Sequence, residues 1–180
     1  MQKLKGLSDA IARVGFSCRN CGKCCRSEPG EPLMVMISPH EVRCIMEWTG
    51  LEWDEIARPF PAFMEVGDGS LVTFEWCLRE ERGECIFHSE SGCIIYPVRP
   101  LICRTYPFVL DGSLVGVSDC EGVGYTISPL EALHLAKWLF IREGEEREES
   151  ERVRQIFDKG SIPRSGRFVI DGEGVKRLHG

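Results

Sequence analysis

The sequence predicts an α+β fold: a small, metal-organised, cysteine-rich domain with a β-hairpin and C-terminal helices. Three observations carry this expectation. Capping boxes open helices at Ser38 and Ser128, an Asp111-Gly112 turn joins two apolar runs, and ten cysteines are confined to residues 18–120.

Taken in order, Leu4, Leu7, Ile11 and Val14 recur at helical steps and mark a short amphipathic helix. Phe16 to Arg26 (FSCRNCGKCCR) holds too many ligands and turn formers for regular structure. Ser38-Pro39-His40-Glu41 starts a helix that stops at Gly50. A second short helix is expected over Glu52 to Arg58, closed by Pro59 and Pro61. Leu71 to Leu78 is rich in β-branched and aromatic residues and reads as one strand. Phe108 to Val117 reads as a hairpin. Ser128-Pro129-Leu130-Glu131 starts an apolar helix reaching Arg142, with Gly144 as a break before an exposed Glu/Arg-rich helix over Glu145 to Phe157. The expected organisation is a single domain over residues 1–160, with a cysteine-cluster region at about 16–124 and a helical part at 128–160. Residues 161–180 are expected as a weakly ordered tail carrying a weak hairpin and a frayed His179.

Composition narrows the function classes. With 43% hydrophobic and 28% charged residues, the 180-residue chain is globular rather than disordered. Its net charge of −6 argues against nucleic acid as a partner, since such a binder needs a basic face to replace counterions. No apolar run reaches the ~20 residues that span a bilayer, so no membrane partner is expected. Met1 to Phe16 carries charges throughout and has no apolar signal core, which makes the cytoplasm the expected location. In a reducing compartment, thiols at this density point to metal binding or redox chemistry.

Cys18, Cys21 and Cys24 follow the spacing C-x2-C-x2-C, and Cys25 follows at once. The C-x-x-C turn lets two thiolates converge on one ion, and Gly22 supplies the backbone freedom that a metal knuckle requires. Adjacent side chains generally diverge, so Cys24 and Cys25 are expected to serve different metals or different irons. Four later cysteines, Cys85, Cys93, Cys103 and Cys120, allow two four-ligand sites or one multinuclear centre; spacing alone does not pair them. Arg19, Lys23, Arg26, Arg99 and Arg104 flank these thiols, either offsetting thiolate charge or serving as surface and backbone anchors.

The motif Cys18-x-x-Cys21-x-x-Cys24-Cys25, followed by Gly92-Cys93-x-Ile95-Tyr96-x-x-Arg99-Pro100-x-x-Cys103-Arg104-x-Tyr106-Pro107-Phe108, resembles the CxxCxxCC, or YkgJ-type, cysteine-cluster family over about residues 16–124. Members are described as zinc- or iron-chelating proteins with eight characteristic cysteines. The resemblance implies Cys18, Cys21, Cys24, Cys25, Cys85, Cys93, Cys103 and Cys120 as the metal ligands. Flagellin lysine methylases look similar in their cysteine region and are thought to use an iron–sulfur cluster with S-adenosylmethionine, but this chain lacks their additional length. Cys44 and Cys77 fall outside the pattern. Cys44 is expected as a buried free thiol, and Cys77 as a reserve able to replace or supplement one of the eight. Cys85-x-x-His88 has ligand-like spacing, with a solvated loop histidine as the plainer expectation. His134 and all four tryptophans are expected in the core.

All-sulfur ligation selects zinc or an iron–sulfur cluster over harder cations. Three readings follow: a metal-chelating module, an iron–sulfur electron-transfer protein with a protein redox partner, or a cluster-dependent enzyme with a protein substrate. No catalytic residue is identified. G-x-S-x-G, the Walker-type phosphate loop and a strand-linked G-x-G-x-x-G are all missing.

Overall fold

The computed structural model describes residues 2–28, 30–67, 69–112, 114–160 and 162–178. Helices and small sheets share the chain, as α+β requires. Helix α1 (Gln2–Val14) turns Leu7 and Ile11 inward. They pack with Phe108, Ala132, Ala136 and Leu139, so the first helix lies on the last one. Helix α2 (Pro39–Thr49) has the expected box: Ser38 Oγ accepts from the Glu41 N–H at 3.3 Å, and Glu41 Oε2 accepts from the Ser38 N–H at 2.8 Å. Gly50, at φ 74°, ends it.

The expected second helix is cut to one turn, α3 (Trp53–Ile56), because Ala57–Pro59 leaves as a strand. Pro59 disfavours helical backbone at Arg58, and the freed segment pairs antiparallel with Trp76–Leu78. Trp76–Leu78 also pairs with Met36–Ile37 on its other side. The single strand expected over residues 71–78 is therefore two strands in two sheets. Ser70–Thr73 lies in a four-stranded sheet with Met64–Val66 and the C-terminal hairpin. Between the halves, Phe74 packs edge-on against Phe157 of the last helix at 5.4 Å, which pulls the two halves toward different partners. Trp76 Nε1 donates to buried Asp171 at 2.8 Å and ties the two sheets together.

Helix α4 (Leu101–Thr105) is short, and the hairpin Phe108–Asp111/Leu114–Val117 forms as the Asp-Gly turn predicts. Helix α5 (Pro129–Asp158) runs 30 residues without interruption, straight through Gly144. A glycine costs a helix interior about 1 kcal/mol relative to alanine, which is not enough to break one held on both sides. Here Arg142 pairs with Glu146 across it at 2.6 Å, and Lys3 grips Glu143 at 2.9 Å. Beyond it, Val153, Ile156 and Phe157 pack on the C-terminal sheet.

The hairpin expected in the C-terminal segment forms, and its first strand is buried. Arg167–Asp171 and Gly174–Leu178 form a hairpin with Phe168, Val169 and Ile170 at 1% exposure or less, and its first strand runs parallel to Ser70–Thr73. Three consecutive buried apolar residues are what a strand covered on both faces requires. Arg43 of α2 clamps Glu173 at the turn. Of the four tryptophans, Trp76 is buried and Trp53 half-buried, whereas Trp48 and Trp138 are exposed; His134 is exposed too. The expectations for Ser161 and His179 concern residues outside those described. No helix among the described residues is long and apolar enough to cross a membrane.

An alanine methyl at Gly144 meets no atom within 4 Å. Gly144→Ala is therefore expected to raise stability by about 0.5–1 kcal/mol, a Tm gain of roughly 1–4 °C in thermal unfolding. A lower Tm would contradict a continuous helix at this point.

Candidate metal centre

The first four cysteines lie on a strap stapled at both ends. At its start, Phe16 bridges to Val123, the Ser17 N–H donates to Gly122 O at 2.9 Å, and the Gly124 N–H returns to Gly15 O at 3.0 Å. These bonds hold the strap against the Cys120 loop. At its end, Arg26 bridges to Glu84 and the Ser27 N–H donates to Gly83 O at 2.8 Å, against the hairpin Glu80–Glu81/Glu84–Cys85. The chain between makes one 3-10 turn, Lys23–Cys25, entered through Gly22 at φ 72°. Cys18, Cys21 and Cys24 are exposed and Cys25 half-buried.

Local backbone donors receive the later thiols. The Phe87 N–H bonds to the sulfur of Cys85 and the Ile95 N–H to that of Cys93. The Gly122 N–H reaches Cys120 Sγ at 3.4 Å. The same two-residue step occurs three times, and such donors stabilise the thiolate form. Cys93 sits in the hairpin His88–Ser89/Gly92–Cys93. Cys103 lies on α4, whose first N–H, that of Leu101, donates to Glu41 Oε1 at 2.7 Å. One carboxylate thus closes the capping box of α2 and fixes the helix that carries Cys103.

The thiols act on one another in two overlapping groups. Burial pushes Cys103 and Cys85 up, and each is raised further by its neighbours, Cys103 by Cys85, Cys24 and Cys93, and Cys85 by Cys93 and Cys24. Burial also raises Cys93. Cys25 is raised first by its hydrogen bond with Cys24, then by burial and by the charges of Cys24, Cys85 and Cys103. Cys120, raised by burial, feels Cys21, Cys24 and Cys18. Cys24 belongs to both groups. Its thiol is lowered to about 6, chiefly by the hydrogen bond with Cys25, with help from His88 and Arg99. Their sulfurs stand 4.0 Å apart, so these adjacent side chains converge on the tight turn instead of diverging. Among the described residues, no three histidine, cysteine, aspartate or glutamate side chains are grouped closely enough to hold a metal ion.

The two cysteines outside the pattern stay apart. Cys77 is fully buried and raised to about 11 by burial; Arg58 and Glu75, not thiols, are its charged neighbours. Cys44 is half-buried with its sulfur 3.7 Å from His40 Nε2. Of the flanking cations, Arg99 lowers Cys24 and Cys93 while stacking on Tyr96 at 3.6 Å. Arg104 donates to the carbonyls of Arg99 and Pro97, Lys23 faces Asp119 at 3.6 Å, and Arg19 covers Tyr125 at 4.9 Å. The anchor account holds for most of them and the charge account for Arg99.

His88 is the residue that sequence reasoning undervalued. Its side chain is 8% exposed, its Nδ1 bonds Glu84, and Arg26 braces that carboxylate at 3.1 Å. Its Nε2 lies against the Gly22 knuckle. The Cys85-x-x-His88 spacing was the available signal; the hairpin that turns the ring inward was not legible.

The family profile of the CxxCxxCC domain, "Putative zinc- or iron-chelating domain", matches residues 17–121, more than half of the chain. The chain belongs to the CxxCxxCC family. An uncharacterized protein of Methanocaldococcus jannaschii is 26% identical over 159 residues, covering 79% of this chain and 80% of its own. No solved structure matches. The donor set is what a zinc- or iron-chelating domain needs: thiols with local N–H donors, ligands suited to zinc and iron and poorly suited to calcium or magnesium.

A methyl on Gly22 would stand 2.3 Å from His88 Nε2, on a backbone that alanine adopts at a cost of about 1–2 kcal/mol. Gly22→Ala should lose metal faster to a chelator. Adding His88→Ala should recover only the part due to the clash. A double variant no better than the single one would show that the imidazole does not set the knuckle.

Proposed function

We propose that this protein binds metal through all eight family cysteines in a binuclear all-thiolate centre. Cys25, Cys85, Cys93 and Cys103 form an inner set, and Cys18, Cys21, Cys24 and Cys120 an outer one, with the Cys24-Cys25 pair at the junction. What supports this reading is the family match, whose span of residues 17–121 holds all eight of these cysteines, together with the 4.0 Å approach of the Cys24 and Cys25 sulfurs at the turn. Zinc in such sites would act by holding structure, since four thiolates leave no open position for a reacting ligand. The inner set would fasten the two hairpins and α4 to the strap, and the outer set would fasten the strap to the Cys120 loop. The protein is then a metal-chelating module, a reading that needs no catalytic residue.

One observation favours a second reading for the outer set. Three of its members, Cys18, Cys21 and Cys24, are exposed and follow the C-x2-C-x2-C spacing, which resembles the ligation of an iron–sulfur cluster open to a redox partner or substrate. Acid-labile sulfide decides between the two.

On the binuclear reading, protein purified without oxygen carries two zinc equivalents per chain and no sulfide. Cys103→Ser and Cys120→Ser should each lose one equivalent and keep the other. Cys103→Ser should lower Tm more, because its site joins elements of the buried core. Full metal content in either variant would remove that residue from the ligand set, and stoichiometric sulfide with iron would establish the second reading.

A further inference from the structure

Away from the cysteines, the strand Ala57–Pro59 and the C-terminal hairpin enclose a cleft of about 510 Å³. Four arginines line it, Arg58, Arg79, Arg167 and Arg177, together with the aromatic rings of Phe63 and Trp76. Among the described residues of its lining, Asp54 alone carries a carboxylate. Four cations against one acid is an unusual local balance in a chain whose net charge is −6.

We propose that this cleft binds a small, multiply charged oxyanion, a phosphoryl or carboxylate compound. The way the arginines are held supports it. Among the described residues, Arg79, Arg167 and Arg177 enter no ion pair and are oriented by neutral groups. Arg79 donates to the backbone carbonyl of Asp54 at 2.8 Å, and Arg177 to that of Ser165 at 3.4 Å. Arg167 lies over the ring of Phe63 at 4.2 Å. A carbonyl or a ring fixes a guanidinium in place without neutralising its charge.

Arg58 adds a second line of argument. It donates to Leu33 O at 3.2 Å and stands 3.8 Å from Glu80, yet its Nε is buried without an acceptor among the described residues. Buried donors are nearly always satisfied, and an orphan beside a cationic cleft calls for an acceptor from outside the chain. The planar guanidinium fork matches carboxylate and phosphate oxygens in pairs. A cleft of this size falls in the roughly 300–1,000 Å³ range of small-molecule sites. Phe63 and Trp76 add apolar wall for whatever uncharged part the ligand carries.

The test is calorimetric titration of the metal-loaded full chain with pyrophosphate and with tricarballylate at physiological ionic strength. Arg58 is left unchanged because its Nε is buried. Arg79→Gln and Arg177→Gln alter exposed side chains and should leave the fold intact. Arg147→Gln, on the exposed face of α5, is the control. The proposal expects one saturable site for at least one probe, weakened tenfold or more by either cleft variant and unchanged in the control. Pyrophosphate alone would assign a phosphoryl ligand, and tricarballylate alone a carboxylate. Absence of saturable binding to both probes overturns the proposal. So does binding that the cleft variants retain, which would place the anion at the metal centre or on general surface charge.

Discussion

Bringing thiols together in a partly desolvated place raises each of them, because burial disfavours the charged form and every neighbouring thiolate disfavours it again. Cys25, Cys85, Cys93 and Cys103 meet this penalty together. A polypeptide resolves it in one of two ways: it keeps the thiols protonated, or it admits a cation that every thiolate can share. In the proposed account the second route organises the cysteine half of the molecule. Arg99 and the local N–H donors reduce the penalty, but they cannot offset four charges.

The regular structure around the centre is correspondingly slight. The hairpins carrying Cys85 and Cys93 have two residues per strand, and Cys103 rides on a helix of five. Isolated two-stranded ribbons are at best marginal in water, so these pieces depend on what they are fastened to. Part of that fastening is apolar: Phe87 and Ile95, one after each hairpin cysteine, are each 1% exposed in the same core as Trp76 and Ile56. Part is polar, through Glu41, whose single carboxylate serves two helices. The remaining half is conventional. α1, α5 and the Asp-Gly hairpin share one core, and the C-terminal sheet packs against the far end of α5.

Features set by neighbouring residues were legible in the sequence. The capping boxes at Ser38 and Ser128, the turn at Asp111-Gly112 and the helix stop at Gly50 depend on bonds within four residues. Features set by partners distant in sequence were not. The division of residues 70–78 follows from two different sheets and from Phe157, eighty residues downstream. Gly144 stays helical because Lys3 and Thr105 hold the helix face around it, through Glu143 and Arg142. The C-terminal hairpin becomes part of a core because Ser70–Thr73 offers it a parallel edge. At the site, the two cysteine motifs that mark the family were recognisable, whereas His88 against Gly22 and the convergence of Cys24 on Cys25 needed three dimensions. The arginine cleft gathers residues 58, 79, 167 and 177 from four separate segments, and no local pattern announces it.

The central claim, that a shared cation resolves the crowding of thiols, is tested most directly by X-ray absorption at the metal edge of protein purified without oxygen. The account predicts a first shell of sulfur alone, four atoms per metal at about 2.3 Å. A shell containing nitrogen or oxygen at about 2.0 Å, or protein that folds fully with no metal bound, would contradict it.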